Sequence, residues 1–156
     1  MALTTPTVLT KRLSNGWVVE VNAGTTGTPN WLRVNGINEV SVSIEGTEQD
    51  VTDFDSGGWA STTTTLRKWS ASIKAWDGYT GSNVDDPAQA ELKARGLQVG
   101  AAAKIPVRFY RPDNGNKGYQ GVAVSNYKGF GGGATAPESY NCDLGGDGAL
   151  VAVTAS

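Results

Sequence analysis

The chain has 156 residues, with 13 Lys and Arg, 15 Asp and Glu, no histidine and a formal net charge of −2. Without imidazole there is no Ser-His-Asp or Cys-His catalysis and no His-ligated metal, and the single Cys142 leaves neither an internal disulfide nor a multi-Cys zinc site. Cations form no cluster larger than Lys11-Arg12 or Arg67-Lys68, so specific nucleic-acid binding, which gathers cations against phosphate, is not expected.

The first residues, MALTTPTVLTKRLSNG, lack the apolar run of a secretory signal. No stretch reaches the ~20 apolar residues of a membrane span, so a soluble protein made in a cytoplasm is expected, with no membrane contact. Period-two alternation then dominates. It predicts strands at 17–21 (WVVEV), 31–34 (WLRV) and 40–45, where Val40, Val42 and Ile44 share a face opposite Ser41, Ser43 and Glu45. Residues 46–65, GTEQDVTDFDSGGWASTTTT, show no period and read as one long inter-strand loop. Alternation resumes at 69–75, with Trp69, Ala71, Ile73 and Ala75 on one side.

A helix is predicted over 85–97. Asp86 is its cap, Pro87 its first residue, Gln89 sits in the capping-box position, and Gly96 is the left-handed stop. Strands follow at 105–110, 119–127, 139–144 and 149–153, with a glycine-rich link at 128–137 and a turn at Gly145-Gly146-Asp147-Gly148. The sum is a mainly β chain: a sandwich or barrel of about eight strands with one short flanking α-helix. One domain spans 1–156. At 16.3 kDa a compact monomer would expose roughly 7,500 Å². The 21 glycines indicate much irregular chain, and a fold that oligomer contacts complete.

The chemistry question centres on residues 43–59, SIEGTEQDVTDFDSGGW, with Glu45, Glu48, Asp50, Asp53 and Asp55. The EF-hand pattern fails, because Thr64 stands where a bidentate Glu belongs. Asp53-Phe54-Asp55 resembles a glycosyl-transfer DxD but lacks surrounding βαβ units. Two carboxylates for glycoside hydrolysis need a rigid frame that this loop does not supply. Gly129-Phe130-Gly131-Gly132-Gly133 has no following Lys-Ser/Thr and is read as a flexible linker. No catalytic, cofactor or metal residue is assigned. Carboxylates ~6 Å apart repel by about 0.7 kcal/mol in water and about 3 kcal/mol at an effective dielectric of 20. The loop is therefore expected to stay solvated and mobile, ordering only against cations of another subunit.

Tryptophan offers a different class of function. Trp17, Trp31, Trp69 and Trp76 fall in strand-like segments suited to core packing, and Trp59 lies in the long loop. Exposed indoles on a β-sandwich would suit a carbohydrate-binding module, the alternative to a structural role.

From about residue 35 to 153 the sequence resembles the major tail (tail tube) proteins of long-tailed bacteriophages. The resemblance is carried, in order, by VSVSIEGTEQDVTDFDSGGW, RKWSASIKAWDG, DDPAQAELKARG followed by IPVRFY, YQGVAVSNY and GALVAV. It implies a β-sandwich or barrel subunit of hexameric rings that stack into a hollow tube, as in contractile injection systems and type VI secretion. The implied partners are further copies, a tape-measure protein in the lumen, and tail-tip and terminator proteins. The resemblance further implies an acidic bore through which DNA passes without specific binding. The implied place is the virion tail, after assembly in the host cytoplasm. In this family a long inter-strand loop reaches the adjacent ring, which assigns Glu48, Asp50, Thr52, Asp53, Phe54, Asp55 and Trp59 to a ring-stacking interface. Residues 1–14 form a candidate second arm.

Overall fold

The structure, a computed structural model, describes residues 4–81 and 84–156; the first residues of the candidate arm at 1–14 lie outside it. Strands β1 (Val18–Asn22), β2 (Trp31–Arg33), β3 (Ile37–Asp50), β4 (Thr62–Trp76), β7 (Lys104–Arg111), β8 (Lys117–Gly131) and β9 (Ser139–Thr154) form one antiparallel sheet in the order β2-β1-β7-β8-β9-β4-β3. A two-stranded ribbon, β5 (Tyr79–Thr80) with β6 (Val84–Asp85), stands apart. The outermost strands, β2 and β3, do not pair with each other, so the sheet is not closed into a barrel.

Alternation decides which face is buried. Val19 and Val21 of β1, Ile105, Val107 and Phe109 of β7, Cys142 and Leu144 of β9, and Trp69, Ala71, Ile73 and Ala75 of β4 share one inner face and form the core. The sheet folds around that face, bringing Trp69 of β4 edge-on to Phe109 of β7 with ring centroids 6.4 Å apart. Helix α1 (Pro87–Gly96) packs mainly on β8, burying Ala88 and Leu92 completely.

The helix starts as expected, with the Asp86 carboxylate accepting from Gln89 N at 3.3 Å and Pro87 in the first turn. Gln89 has a different task from a capping box. It is buried, and its Nε2 donates to the carbonyls of Asn35 at 2.7 Å and Trp76 at 3.0 Å, tying the helix to the end of β4. Gly96 is not a left-handed stop either: it remains helical, and Leu97 follows with φ −98°. Its reason is steric, because a Cβ there would lie 2.6 Å from both Cβ and N of Tyr127.

Two predicted boundaries move. Gly145–Gly148 is no turn, since β9 runs through it from Ser139 to Thr154. The register against β8 jumps from Val122↔Asp147 to Gln120↔Val151, a bulge that places two extra residues on β9. Trp69 explains it: its Nε1 donates to Gly148 O at 3.2 Å, and a Cβ on Gly146 would lie 2.5 Å from that nitrogen. Likewise 46–65 is not all loop, for β3 extends to Asp50 and β4 begins at Thr62.

Candidate assembly interface

Past Trp69 the sheet forks. β4 pairs with β9 only over Ser70–Trp76, and from Trp69 back to Thr62 its partner is β3 alone. The distal halves of β3 and β4 therefore leave the body as a two-stranded arm on which every residue is exposed from Glu45 to Asp50 and from Thr62 to Lys68. The Thr62–Thr65 run supplies β-branched residues for an extended ladder, and Glu45 pairs with Lys68 across it at 3.1 Å. The cation that answers Glu45 thus comes from its own chain.

At the tip the acids order the backbone. Asp50 accepts from Thr52 N at 2.8 Å and from the Thr52 hydroxyl. Those bonds, the hydroxyl's foremost, hold its carboxyl below the usual range. Asp53 caps a single 3₁₀ turn at Phe54–Ser56 in a reciprocal box: its carboxylate accepts from Asp55 N at 3.1 Å and Ser56 Oγ at 2.9 Å, while Ser56 Oγ accepts from Asp53 N at 3.1 Å. Gly57 at φ 63° closes the turn. Val51 N donates to Ser61 O, and Ser61 N to Thr52 Oγ1, each at 2.8 Å. The expectation of a loop with no order of its own is corrected, because these side chains bond to local N–H and hydroxyl groups within the subunit.

All seven residues assigned to the interface from the sequence lie on this arm. Glu48 and Asp50 close β3, Thr52 and Asp53 enter the tip, Phe54 and Asp55 form its turn, and Trp59 leads back to β4. Phe54 is entirely exposed and Trp59 is 82% exposed. The sequence reading missed Ile44, Val51 and Leu66, which are also exposed. The period that marks Val40, Val42 and Ile44 as one face carries no mark of where the core beneath it ends. Trp76 is half-exposed instead of core, while Trp17 and Trp31 are partly buried beneath Arg111 and Arg108, with cation-to-centroid distances of 5.6 and 4.4 Å.

The accessible surface is 10702 Å², against roughly 7,500 Å² for a compact chain of this mass. That excess is larger than the ~800 Å² each partner hides in one standard interface. Beside the arm, the outer face of β3, β4, β8 and β9 carries Ser41, Ser43, Ser70, Ser72, Asn126 and Asp143 around a shallow depression of about 500 Å³. The lysines bordering it on β4 are matched, Lys68 with Glu45 and Lys74 with Glu39 at 3.3 Å.

Two titratable groups buried in the body are Cys142 and Tyr140. Cys142 is buried beside the Ser125 hydroxyl at 3.2 Å, and burial pushes its thiol up. Burial does the same to the Tyr140 phenol, which has no hydrogen-bond partner among the described residues and lies beneath Lys93. Among the described residues no three Cys, Asp or Glu side chains converge as metal ligands would.

Those features define a β-rich subunit with a stable body and a large uncovered arm. A family model described as phage tail tube protein matches residues 14–152, and the chain belongs to that family of structural tail proteins. Among solved structures, it resembles a chain of the tail of an empty gene transfer agent particle, refined helically with C6 symmetry: 19% identity, TM-score 0.62, covering 90% of this chain and 98% of that one. A chain of the native gene transfer agent virion gives 15% identity and TM-score 0.62, covering 92% and 99%. One from the six-fold symmetrised anti-feeding prophage baseplate gives 11% and 0.50, covering 97% of each. No curated protein matched.

Proposed function

We propose that this chain is the repeating subunit of a tail tube, closing into hexameric rings that stack into a hollow conduit for the genome. The arm carries this reading: a hairpin with an ordered tip, apolar residues along its length and no core of its own. Such an element costs conformational entropy that only contact with another subunit offsets. The stacking contact joins two different surfaces, a heterologous contact that runs on as an open filament where its rotation does not close. The six-fold symmetry of the similar assemblies supports rings of six. Residues 1–156 act as one domain, with the N-terminal segment a second arm.

The serine-rich face suits a bore. It offers small polar groups, its bordering lysines are each neutralised by a glutamate, and Asp143 adds negative charge, so a polyanion meets no gathered cations to hold it. A tape-measure protein fills the bore before DNA does, and tip and terminator proteins close the ends. The subunit performs no chemistry, and assembly takes place in the host cytoplasm.

Asp50 and Thr62 are paired across the arm, so replacing 51–61 by Asn-Gly closes the hairpin with a two-residue turn. The shortened protein is expected to keep native circular dichroism and to form no tubes in electron micrographs. Tubes from the shortened protein would overturn the arm's stacking role, and failure of the full-length protein to form tubes at any concentration would overturn the tube reading.

A further inference from the structure

We propose that the arm tip of one subunit seats on the Lys128–Phe130 bulge of a second copy of this chain. This rests on the tube reading above and names the surface that receives the arm.

The two surfaces lie at opposite ends of the molecule. β4 starts at the arm tip with Thr62 and ends with Trp76, which pairs with Ser139, which pairs in turn with Gly131. Fifteen residues of strand separate those ends by roughly 50 Å. A contact from one end to the opposite end can repeat along an axis, which is what stacking requires.

The receiving end has a built irregularity. Pairing of β8 with β9 steps from Tyr127↔Cys142 to Gly129↔Asn141, leaving Lys128 as an extra residue without a cross-strand partner. Gly129 takes φ 115°, a conformation glycine adopts freely. Bulges re-aim side chains at sheet ends, and here the result is an exposed ammonium beside Phe130, itself 70% exposed. A groove of about 300 Å³ runs between this bulge and Ser139 and Asn141, and the half-exposed Trp76 is Ser139's neighbour.

The arm tip is the complement. Phe54 and Trp59 are exposed at the tip, where the end of β3 carries Glu48 and Asp50 and the capped turn carries Asp53 and Asp55, none of which has a cation partner among the described residues. Charge also selects the site. Of the other cations with no carboxylate partner, Arg67 stands on the arm, and Arg33 lies on β2 at the far edge of the sheet. Lys11, Arg12 and Lys117 gather near the β7–β8 turn, where Arg12 reaches Asn114 and Lys117 opens β8 opposite Thr154. β9 reaches Thr154 by running from Gly145 in the direction that β4 takes from Ser70 back to Thr62, so this cluster shares the arm tip's own end. Lys128 is the cation left at the opposite end.

Charge exchange in the full-length protein tests the pairing, with tube formation followed by light scattering and electron microscopy. Lys128→Glu alone, and Asp53→Lys with Asp55→Lys alone, are each expected to raise the concentration needed for tubes about tenfold, because the weakened contact recurs at every subunit. All three substitutions together should return it to within about threefold of native. All these sites are exposed, and circular dichroism verifies folding. Phe130→Ala provides a second variant with no charge change and is expected to weaken assembly in the same direction. Native assembly by Lys128→Glu overturns the proposal, and so does failure of the combined variant to recover. Blockage by Lys117→Glu that Asp53→Lys and Asp55→Lys relieve would also overturn it, by moving the contact to the β7–β8 turn. In each of these cases tubes from the native full-length protein leave the tube reading standing, whereas a native protein that forms no tubes at any concentration defeats that reading itself.

Discussion

The body and the arm are built from the same strands and held by different forces. In the body, β4 has neighbours on both edges, and its inward residues Trp69, Ala71, Ile73 and Ala75 are buried. Beyond the fork, the same strand keeps one neighbour, and Leu66 stands 71% exposed. Burial of apolar area, at about 25 cal/mol per Å², stabilises the first half, while the second has a hydrogen-bonded ladder and a capped tip. A strand can thus serve as core at one end and as an exposed ladder at the other, and the boundary is a single tryptophan.

Truncating that boundary is expected to have the largest effect. Trp69→Ala removes the contact with Phe109 and the bond to Gly148, and should lower unfolding free energy by roughly 3–5 kcal/mol, read by denaturant titration of unassembled protein. Phe54→Ala, a deletion of similar size on the arm, is expected to change the same measurement by no more than about 0.5 kcal/mol while impairing tube formation. Equal losses in the two variants would erase the distinction between body and arm. The smallest effect concerns pH. Asp50 has a depressed carboxyl because Thr52 bonds to its charged form. Its contribution is therefore complete above the unfolded carboxylate range near pH 4 and disappears as pH falls through the lower folded value. Hydrogen exchange at the Thr52 amide should accelerate in acid before exchange in β7 does, and Asp50→Asn should flatten that response.

Much of the body is readable from residue order because burial writes a period into the sequence. WSASIKA and the Asp86-Pro87 helix start translate directly into β4 and α1. The arm carries no such signal: with both faces of Gly46–Asp50 and Thr62–Thr65 in solvent, nothing constrains their polarity to alternate, so a regular ladder reads as loop. The seven residues assigned to the proposed interface are legible as an unusual acidic and aromatic cluster, yet the hydrogen bonds at the arm tip depend on backbone geometry. Gln89 is misread as a capping residue because its carbonyl partners, Asn35 and Trp76, are distant in sequence. Lys128 and Phe130 hide inside a glycine-rich stretch for a related reason. A bulge and a flexible linker call for the same residues.

The seats of Trp69 and Tyr127 reverse the usual advice for making a protein more heat-resistant. Replacing glycine by alanine commonly stabilises by about 0.4–1 kcal/mol through the unfolded chain. A methyl group on Gly121 would meet Trp69 Cζ2 at 2.8 Å, one on Gly146 the same indole, and one on Gly96 the Tyr127 backbone. Each would push aromatic rings or strand backbone off their positions, a cost typically of about 1–3 kcal/mol. An engineer replacing these three glycines would therefore weaken the chain at places where strand and aromatic ring are already in close contact.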